Sequence, residues 1–286
     1  MSQFAKYKSK PPAVFSRMVG VSYGTFMLLL AKLEAAFNDY QSEQLTRKRG
    51  KKSSMPLADQ LLLCLLYLRT YDTFLNLSFQ FGISESYAQK RYTFVKKLLL
   101  QALDLPDEES LRDAINGEHV AVDVTEQAIE RPIENQEQYY SGKKKLHTIK
   151  VLLIVCLLTN LIKAIRFDRG PRNDYQMYKN SKFDLSKHLK ISADSGFQGI
   201  KDLHEKSQIP HKASKLKPLN DTQKEHNKKI ASKRIPIEHT NRKCKIFKIC
   251  GSRFRGKHKN YESTWTLIAA LVNFKESTRH LRFQSP

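Results

Sequence analysis

Acidic residues are scarce in this 286-residue chain. Asp and Glu number 28 against 50 Lys and Arg, leaving a formal net charge of +22. So one-sided a balance excludes a surface made for cationic partners. It points to a polyanion, with nucleic acid ahead of an anionic membrane. Long apolar runs are missing too. The longest, residues 61–66 and 151–158, are too short to span a bilayer, and the N-terminus lacks the apolar core of a signal peptide. No membrane partner is therefore expected. Cysteine is sparse, and Cys64, Cys156, Cys244 and Cys250 make no dense framework. Two of them lie inside apolar runs, as buried thiols do, which suits a reducing cytoplasm.

What is present is unevenly spread. Residues 1–115 hold 16 Lys and Arg and 11 Asp and Glu, a net of +5, whereas residues 116–286 hold 34 and 17, a net of +17. Within the second part, residues 201–260 carry 18 basic and 5 acidic side chains, a net of +13. A lysine run is ordinarily a solvated face, but an excess this local is the electrostatic footprint of nucleic acid. The length allows two modest domains, and 40% apolar residues suffice to fill their cores.

The first part, residues 1–115, reads as all-helical. Residues 1–20 are basic and carry Pro11-Pro12, so a loose arm is expected. Phe26, Leu29, Leu30, Leu33 and Phe37 recur at helical spacing over residues 22–40. Residues 41–55 form a basic linker, and a buried helix covers residues 56–69. Residues 73–81, the turn Gly82-Ile83-Ser84 and a helix over residues 85–100 make a helix-turn-helix pattern. Gly82 supplies the left-handed turn and Ser84 the cap. Ala88, Tyr92 and Val95 form the inner face of that helix, so Ser86, Gln89, Lys90 and Thr93 point outward, toward a major groove if this is a DNA reader. Any helical hairpin has the same pattern; the basic charge favours DNA. A polar acidic stretch, residues 104–113, marks the domain boundary.

From His119 the periodicity becomes that of strands. Residues 119–124, 146–158 and 161–167 alternate or run apolar, and the last two form a hairpin around Thr159-Asn160. A helix over residues 174–180, a strand over 190–193, a helix over 200–207 and a strand at 208–212 follow. A basic helical stretch over 221–250, kinked or restarted at Pro236, leads to a closing helix over 263–275. Three meandering strands followed by alternating units give a mixed α/β sheet flanked by helices. Asp123 lies on its first strand. Asp194 ends a later strand that can pack beside the first, just ahead of the glycine turn Ser195-Gly196-Phe197-Gln198-Gly199. Glu238, on the basic helix, can lean over the same edge. Three such carboxylates would repel one another unless a cation intervenes. Oxygen ligands without a Cys or His pair select Mg²⁺ or Mn²⁺. Two such ions can clamp a phosphoryl displacement, with Asp123 bridging both and Asp194 and Glu238 each holding one. With a separate DNA-binding pattern, this reads as an enzyme that cuts and joins DNA strands. No histidine pattern supports Ser195 as a nucleophile, and His239, Cys244, Cys250 and His258 fit no common zinc spacing. Lys143, Lys144 and Lys145 are phosphate contacts or a solvated turn.

Four stretches resemble the DDE transposases of bacterial insertion sequences, in the branch that joins a helix-turn-helix to a DDE endonuclease domain. They are Val122-Asp123-Val124-Thr125-Glu126, Tyr139-Tyr140-Ser141-Gly142-Lys143-Lys144-Lys145-Leu146-His147-Thr148, Ala193-Asp194-Ser195-Gly196-Phe197-Gln198-Gly199 and Pro236-Ile237-Glu238-His239-Thr240-Asn241-Arg242. The resemblance implies an RNase H-like fold and a metal-bound triad of Asp123, Asp194 and Glu238. It also implies strand transfer after cleavage, with the element's ends and a target as double-stranded DNA partners. A homodimer in the DNA complex and a cytoplasmic, nucleoid-associated location follow from the same resemblance. Around the glutamate the family places an arginine and a lysine, matched by Arg234 and Lys245; where it places a tyrosine, this chain has Ala231. Arg234, Glu238, Asn241, Arg242 and Lys245 share one helix face, on which Arg234, Arg242 and Lys245 are expected to grip phosphates. A non-catalytic DNA-binding regulator and a plain nuclease of the same fold remain open alternatives.

Overall fold

The computed structural model describes residues 2–43, 53, 55–112, 118–213 and 218–282. The basic run at residues 46–52, read as a linker, lies outside the described residues. Seven helices come first: α1 (Gln3–Lys8), α2 (Pro12–Val19), α3 (Tyr23–Glu43), α4 (Leu57–Thr70), α5 (Phe74–Phe81), α6 (Glu85–Ala102) and α7 (Glu109–Arg112). Then follow β1 (His119–Ala128), β2 (Tyr140–Ser141), β3 (Leu146–Cys156), β4 (Ile162–Arg169), α8 (Asp174–Asn180), β5 (Lys190–Ser192), α9 (Ile200–Leu203), β6 (Ser207–Gln208), α10 (Asp221–Lys245), α11 (Lys248–Gly251) and α12 (Tyr261–Arg282). Two compact units result. One comprises Met1–Leu105, Lys245–Gly251 and Ser263–Pro286; the other comprises Pro106–Cys244 and Ser252–Glu262. In place of the expected single division at residue 115, the chain passes between units at Leu105–Pro106, and Lys245–Gly251 and most of the closing helix return to the first unit.

In the helical unit α4 is the hub. Leu61 through Leu66 and Leu68 are all buried, and α4 contacts α1, α2, α3, α5, α6 and α11. The expected loose arm is instead two helices, α1 and α2. Their basic residues are solvated, but Phe15 and Val19 are fully buried, and Phe4 stacks on Phe26 at 4.7 Å. Asp59 Oδ1 accepts from Ser2 Oγ and from the Phe4 amide at 2.7 and 2.6 Å. Pro12 sits in the first turn of α2, where a missing N–H costs nothing, so the proline pair starts a helix rather than preventing one. The helix-turn-helix has the expected local chemistry. Gly82 caps α5 at φ +64°, and Ser84 Oγ caps α6 by accepting from the Tyr87 amide at 3.3 Å. Lys96 turns into the unit and donates to Ser263 Oγ and Thr264 Oγ1 of α12 at 2.9 and 2.7 Å; burial lowers its pKa to about 8.

The second unit is built on a six-stranded mixed sheet. Strands run β4-β3-β1-β5-β6, and β2 pairs with the first residues of β3. The β4–β3–β1 part is antiparallel, while β1–β5 and β5–β6 are parallel. Helices flank this sheet in an RNase H-like DDE arrangement. Alternation along β1 divides its two faces. Val120 and Val122 join Leu152 and Ile154 of β3 in a core closed by Met177 and Tyr178 of α8 and Ile200 of α9. The odd-numbered residues, including Asp123, face the opposite side.

Several boundaries differ from expectation. β1 continues to Ala128, because β3 remains available as its partner down to Thr148. The helix expected over 200–207 stops at Leu203, and β6 is two residues at Ser207–Gln208. Asn173 caps α8, its Oδ1 accepting from the Tyr175 and Gln176 amides. α10 runs unbroken through Pro236. The hydrogen bond lost there belongs to Ser232, on an exposed turn of the helix.

The N-terminal helices are part of the core, so Phe15→Ala is expected to destabilise the chain by about 3–5 kcal/mol. Urea unfolding checks this; a loose arm would leave the midpoint unchanged.

Candidate active site

Asp123 sits in the middle of β1, opposite Leu153 of β3. On its other side the parallel pairs Val120–Ile191 and Ala121–Ser192 set a register that, two residues on, brings Asp194 alongside Asp123. Neighbouring strands lie about 4.8 Å apart. Strand β5 ends at Ser192, so Asp194 is released from the ladder while still held by the sheet. Its Oδ1 accepts from the Gly196 amide at 2.8 Å, capping a short 3-10 turn. The two glycines of this turn have distinct reasons. A Cβ on Gly196 would lie 3.0 Å from Asp194 Oδ1 and 3.3 Å from Asp174 Oδ2. Gly199 has φ +98°, with the Tyr175 ring where a Cβ would be.

Helix α10 supplies the rest. It buries Ile230, Ile237 and Cys244, and this apolar stripe sets its rotation. Arg234, Glu238 and Asn241 lie at i, i+4 and i+7, so they share a face one turn apart. Asn241 is buried and donates from Nδ2 to Asp123 Oδ2 at 2.6 Å. Arg234 Nη2 lies 3.5 Å from Asp123 Oδ1, with the two side chains 13% and 19% exposed. The main force on Asp123 is loss of solvation. It pushes the carboxyl up to about 6, opposed by Arg234 and reinforced by the negative charges of Asp194 and Glu238. The β1–β5 register sets Asp194 beside Asp123, and Glu238 is exposed on the α10 face whose Arg234 and Asn241 reach Asp123.

The donor set fits a hard divalent cation. All three acids offer oxygen, their mutual repulsion is what a cation would relieve, and the buried Asn241 Oδ1, a further oxygen donor, has no hydrogen-bond partner. Among the described residues no three His, Cys, Asp or Glu are drawn into a ready coordination cluster. Both oxygens of Asp123 are engaged by α10 instead.

The remaining expected residues fall into three groups. Ser86, Gln89, Lys90 and Thr93 are exposed on α6, while Ala88, Tyr92 and Val95 are buried. Lys143, Lys144 and Lys145 are exposed on the turn before β3, where Ser141 O accepts from the amides of Lys144 and Lys145. Arg242 and Lys245 are exposed on α10. Arg234 is different: expected on phosphate, it is mostly buried against Asp123. Asn241 carried no assigned role in the sequence, although its place three residues after Glu238 put it on the right face. A second polar group adjoins the site, in which Lys150 Nζ donates to Asp174 Oδ1 at 2.7 Å and to the Arg172 carbonyl at 2.5 Å.

Residues 122–273 match the family described as DDE superfamily endonuclease, and residues 53–104 match the helix-turn-helix of DDE superfamily endonuclease. A protein from Microchaete diplosiphon, named as a probable transposase for insertion sequence element IS702, is 33% identical over 273 residues, covering 94% of this chain and 97% of that protein. No solved structure matches the chain.

Because the folded chain holds the Asp123 carboxyl near 6 rather than 3.8, it favours the protonated form. The resulting penalty is absent below about 3.8 and complete once the pH exceeds about 6. In EDTA at neutral pH, Asp123→Asn is therefore expected to stabilise the chain by up to about 3 kcal/mol. The gain shrinks as pH falls through 6, and thermal unfolding across pH 4–8 checks both parts.

Proposed function

The chain belongs to the DDE superfamily endonucleases, and on that premise we propose that it is an insertion-sequence transposase that cuts DNA at the element's ends and joins them to a target. The observation that carries this proposal is the β1–β5 register that sets Asp194 beside Asp123, with Glu238 on the face of α10 that reaches Asp123 through Arg234 and Asn241. In the first step water attacks a phosphodiester; the new P–O bond forms as the bond to the 3′-oxygen breaks, freeing a 3′-hydroxyl. In the second, that hydroxyl attacks a target phosphodiester and displaces the target's own 3′-oxygen.

Asp123, Asp194 and Glu238 would hold Mg²⁺ or Mn²⁺, two ions per site, which supply Lewis acidity for phosphoryl transfer. The chain's own part is positioning. Asn241 fixes the Asp123 carboxylate through a 2.6 Å hydrogen bond, and Arg234 offsets part of its charge. Lys143, Lys144, Lys145, Arg242 and Lys245 are exposed cations suited to phosphates. Ser86, Gln89, Lys90 and Thr93 present the polar face of α6 to base edges. Two copies acting together would handle the two ends, and the buried thiols of all four cysteines suit a reducing cytoplasm.

Labelled DNA carrying the element's own ends, incubated with Mg²⁺ or Mn²⁺, is expected to be cut by the wild type and not in EDTA. Asp194→Ala or Glu238→Ala reduces cutting by roughly 10³-fold, several kcal/mol of transition-state stabilisation. Undiminished cutting by either variant would refute the triad. Lys143→Ala is expected to weaken binding to all sequences and lower the salt slope by about 1, whereas Gln89→Ala costs about 1–3 kcal/mol for end sequences alone. Filter binding across a salt series checks both.

A further inference from the structure

The second unit contains a pocket of about 230 Å³ that the acidic site does not use. Tyr139, Phe167, His258 and Tyr261 supply its aromatic walls, and Asp168 and Glu262 its carboxylates. The Tyr139 and His258 rings lie 5.5 Å apart, tilted by 48°. The Arg169 guanidinium sits over the Tyr139 ring, 5.7 Å from its centroid. Asp168 is held by Arg172 at 3.2 Å.

Three observations say what this pocket takes. Its walls are flat π-surfaces, of a kind on which any base can stack. Its carboxylates accept hydrogen bonds, the complement of a base's exocyclic amine. Its surroundings are cationic: Arg253, Arg255, Lys257 and Lys259 are exposed on the segment carrying His258, and Lys143 to Lys145 follow Tyr139 closely in the chain. An apolar ligand would need no such rim, and a free cation would be repelled by it.

Position relates the pocket to the acidic site. Ile149 lines the pocket, and Leu153, on the same face of β3, is the register partner of Asp123. Four residues of strand separate them, about 13 Å, or about four base steps along one strand of a duplex.

We propose that this pocket holds an unpaired nucleobase of the DNA strand being processed, stacked on Tyr139 and His258 and paired through its amine to Asp168 or Glu262. An extruded base here would anchor the strand a few nucleotides from the scissile bond, at the cost of a few kcal/mol of unstacking that a frayed end largely avoids. The proposal rests on the DNA-processing role argued above, and its test separates the two.

The probe is a duplex with a short single-stranded adenine tail carrying 2-aminopurine, bound by the full-length chain and its variants. Wild-type binding is expected to quench the 2-aminopurine and to favour the tailed over the blunt duplex. Tyr139→Ala is expected to lose that preference by roughly 5- to 100-fold, as removal of one stacking platform does, while Tyr139→Phe keeps it. Replacing the tail base by an abasic residue weakens the wild type to the same extent and the Tyr139→Ala protein no further, a coupling that a folding defect would not produce. Equal affinity of wild type and Tyr139→Ala for the tailed duplex, with Mg²⁺-dependent cutting intact, overturns the pocket and leaves the nuclease. No binding of either DNA by the wild type overturns both.

Discussion

One carboxylate in poor solvent governs the second unit. Asp123 is carried into the sheet's interior by β1, and its register neighbours β3 and β5 leave it no other place. Desolvation pushes its pKa up. The chain offsets that cost from a single helix, α10, whose Arg234 and Asn241 reach both carboxylate oxygens. Two further acids, Asp194 and Glu238, then push in the wrong direction for stability. A fold selected for stability alone would not bring them there. The local strain is a functional signature, and a bound cation is the simplest agent to turn repulsion into coordination.

The sheet order makes this possible. Meandering β1, β3 and β4 place β1 with one open edge, and the return of β5 parallel to that edge is what sets Asp194 beside Asp123. Helix α10 then closes over the face carrying Asp123, its apolar stripe of Ile230, Ile237 and Cys244 fixing its rotation. Its interior proline does not break it, so Arg234, Glu238 and Asn241 keep one continuous helical phase across Pro236. Rotation by one residue would turn all three away.

Much of this was legible in the sequence, for identifiable reasons. Alternation in His119-Val120-Ala121-Val122-Asp123 announces a strand, and Gly82-Ile83-Ser84 announces a helix stop and start, because both signals are local. Asp123 and Asp194 stood out because each acid follows a run whose alternation marks a strand, a signal that is local as well. What escaped depends on long-range contact. The phenylalanines of α1 and α2 were hidden among lysines and a proline pair, and only their burial against α3 and α4 reveals helices in place of an arm. Arg234 looked like any surface cation of a basic helix until Asp123 was seen beside it, and Asn241, uncharged, gave no signal beyond its spacing. The pocket walled by Tyr139 and His258 joins residues over a hundred positions apart, beyond the reach of any motif.

A single hard-cation site formed by Asp123, Asp194 and Glu238 would show itself in metal binding. Mn²⁺ binding to the full-length chain, followed by electron paramagnetic resonance, tests it most directly, because it reads the site without requiring the right DNA. The wild-type chain is expected to bind Mn²⁺, with Asp123→Asn, Asp194→Asn and Glu238→Gln each weakening that binding and Mg²⁺ competing for it. Mn²⁺ affinity left unchanged by all three substitutions would contradict it.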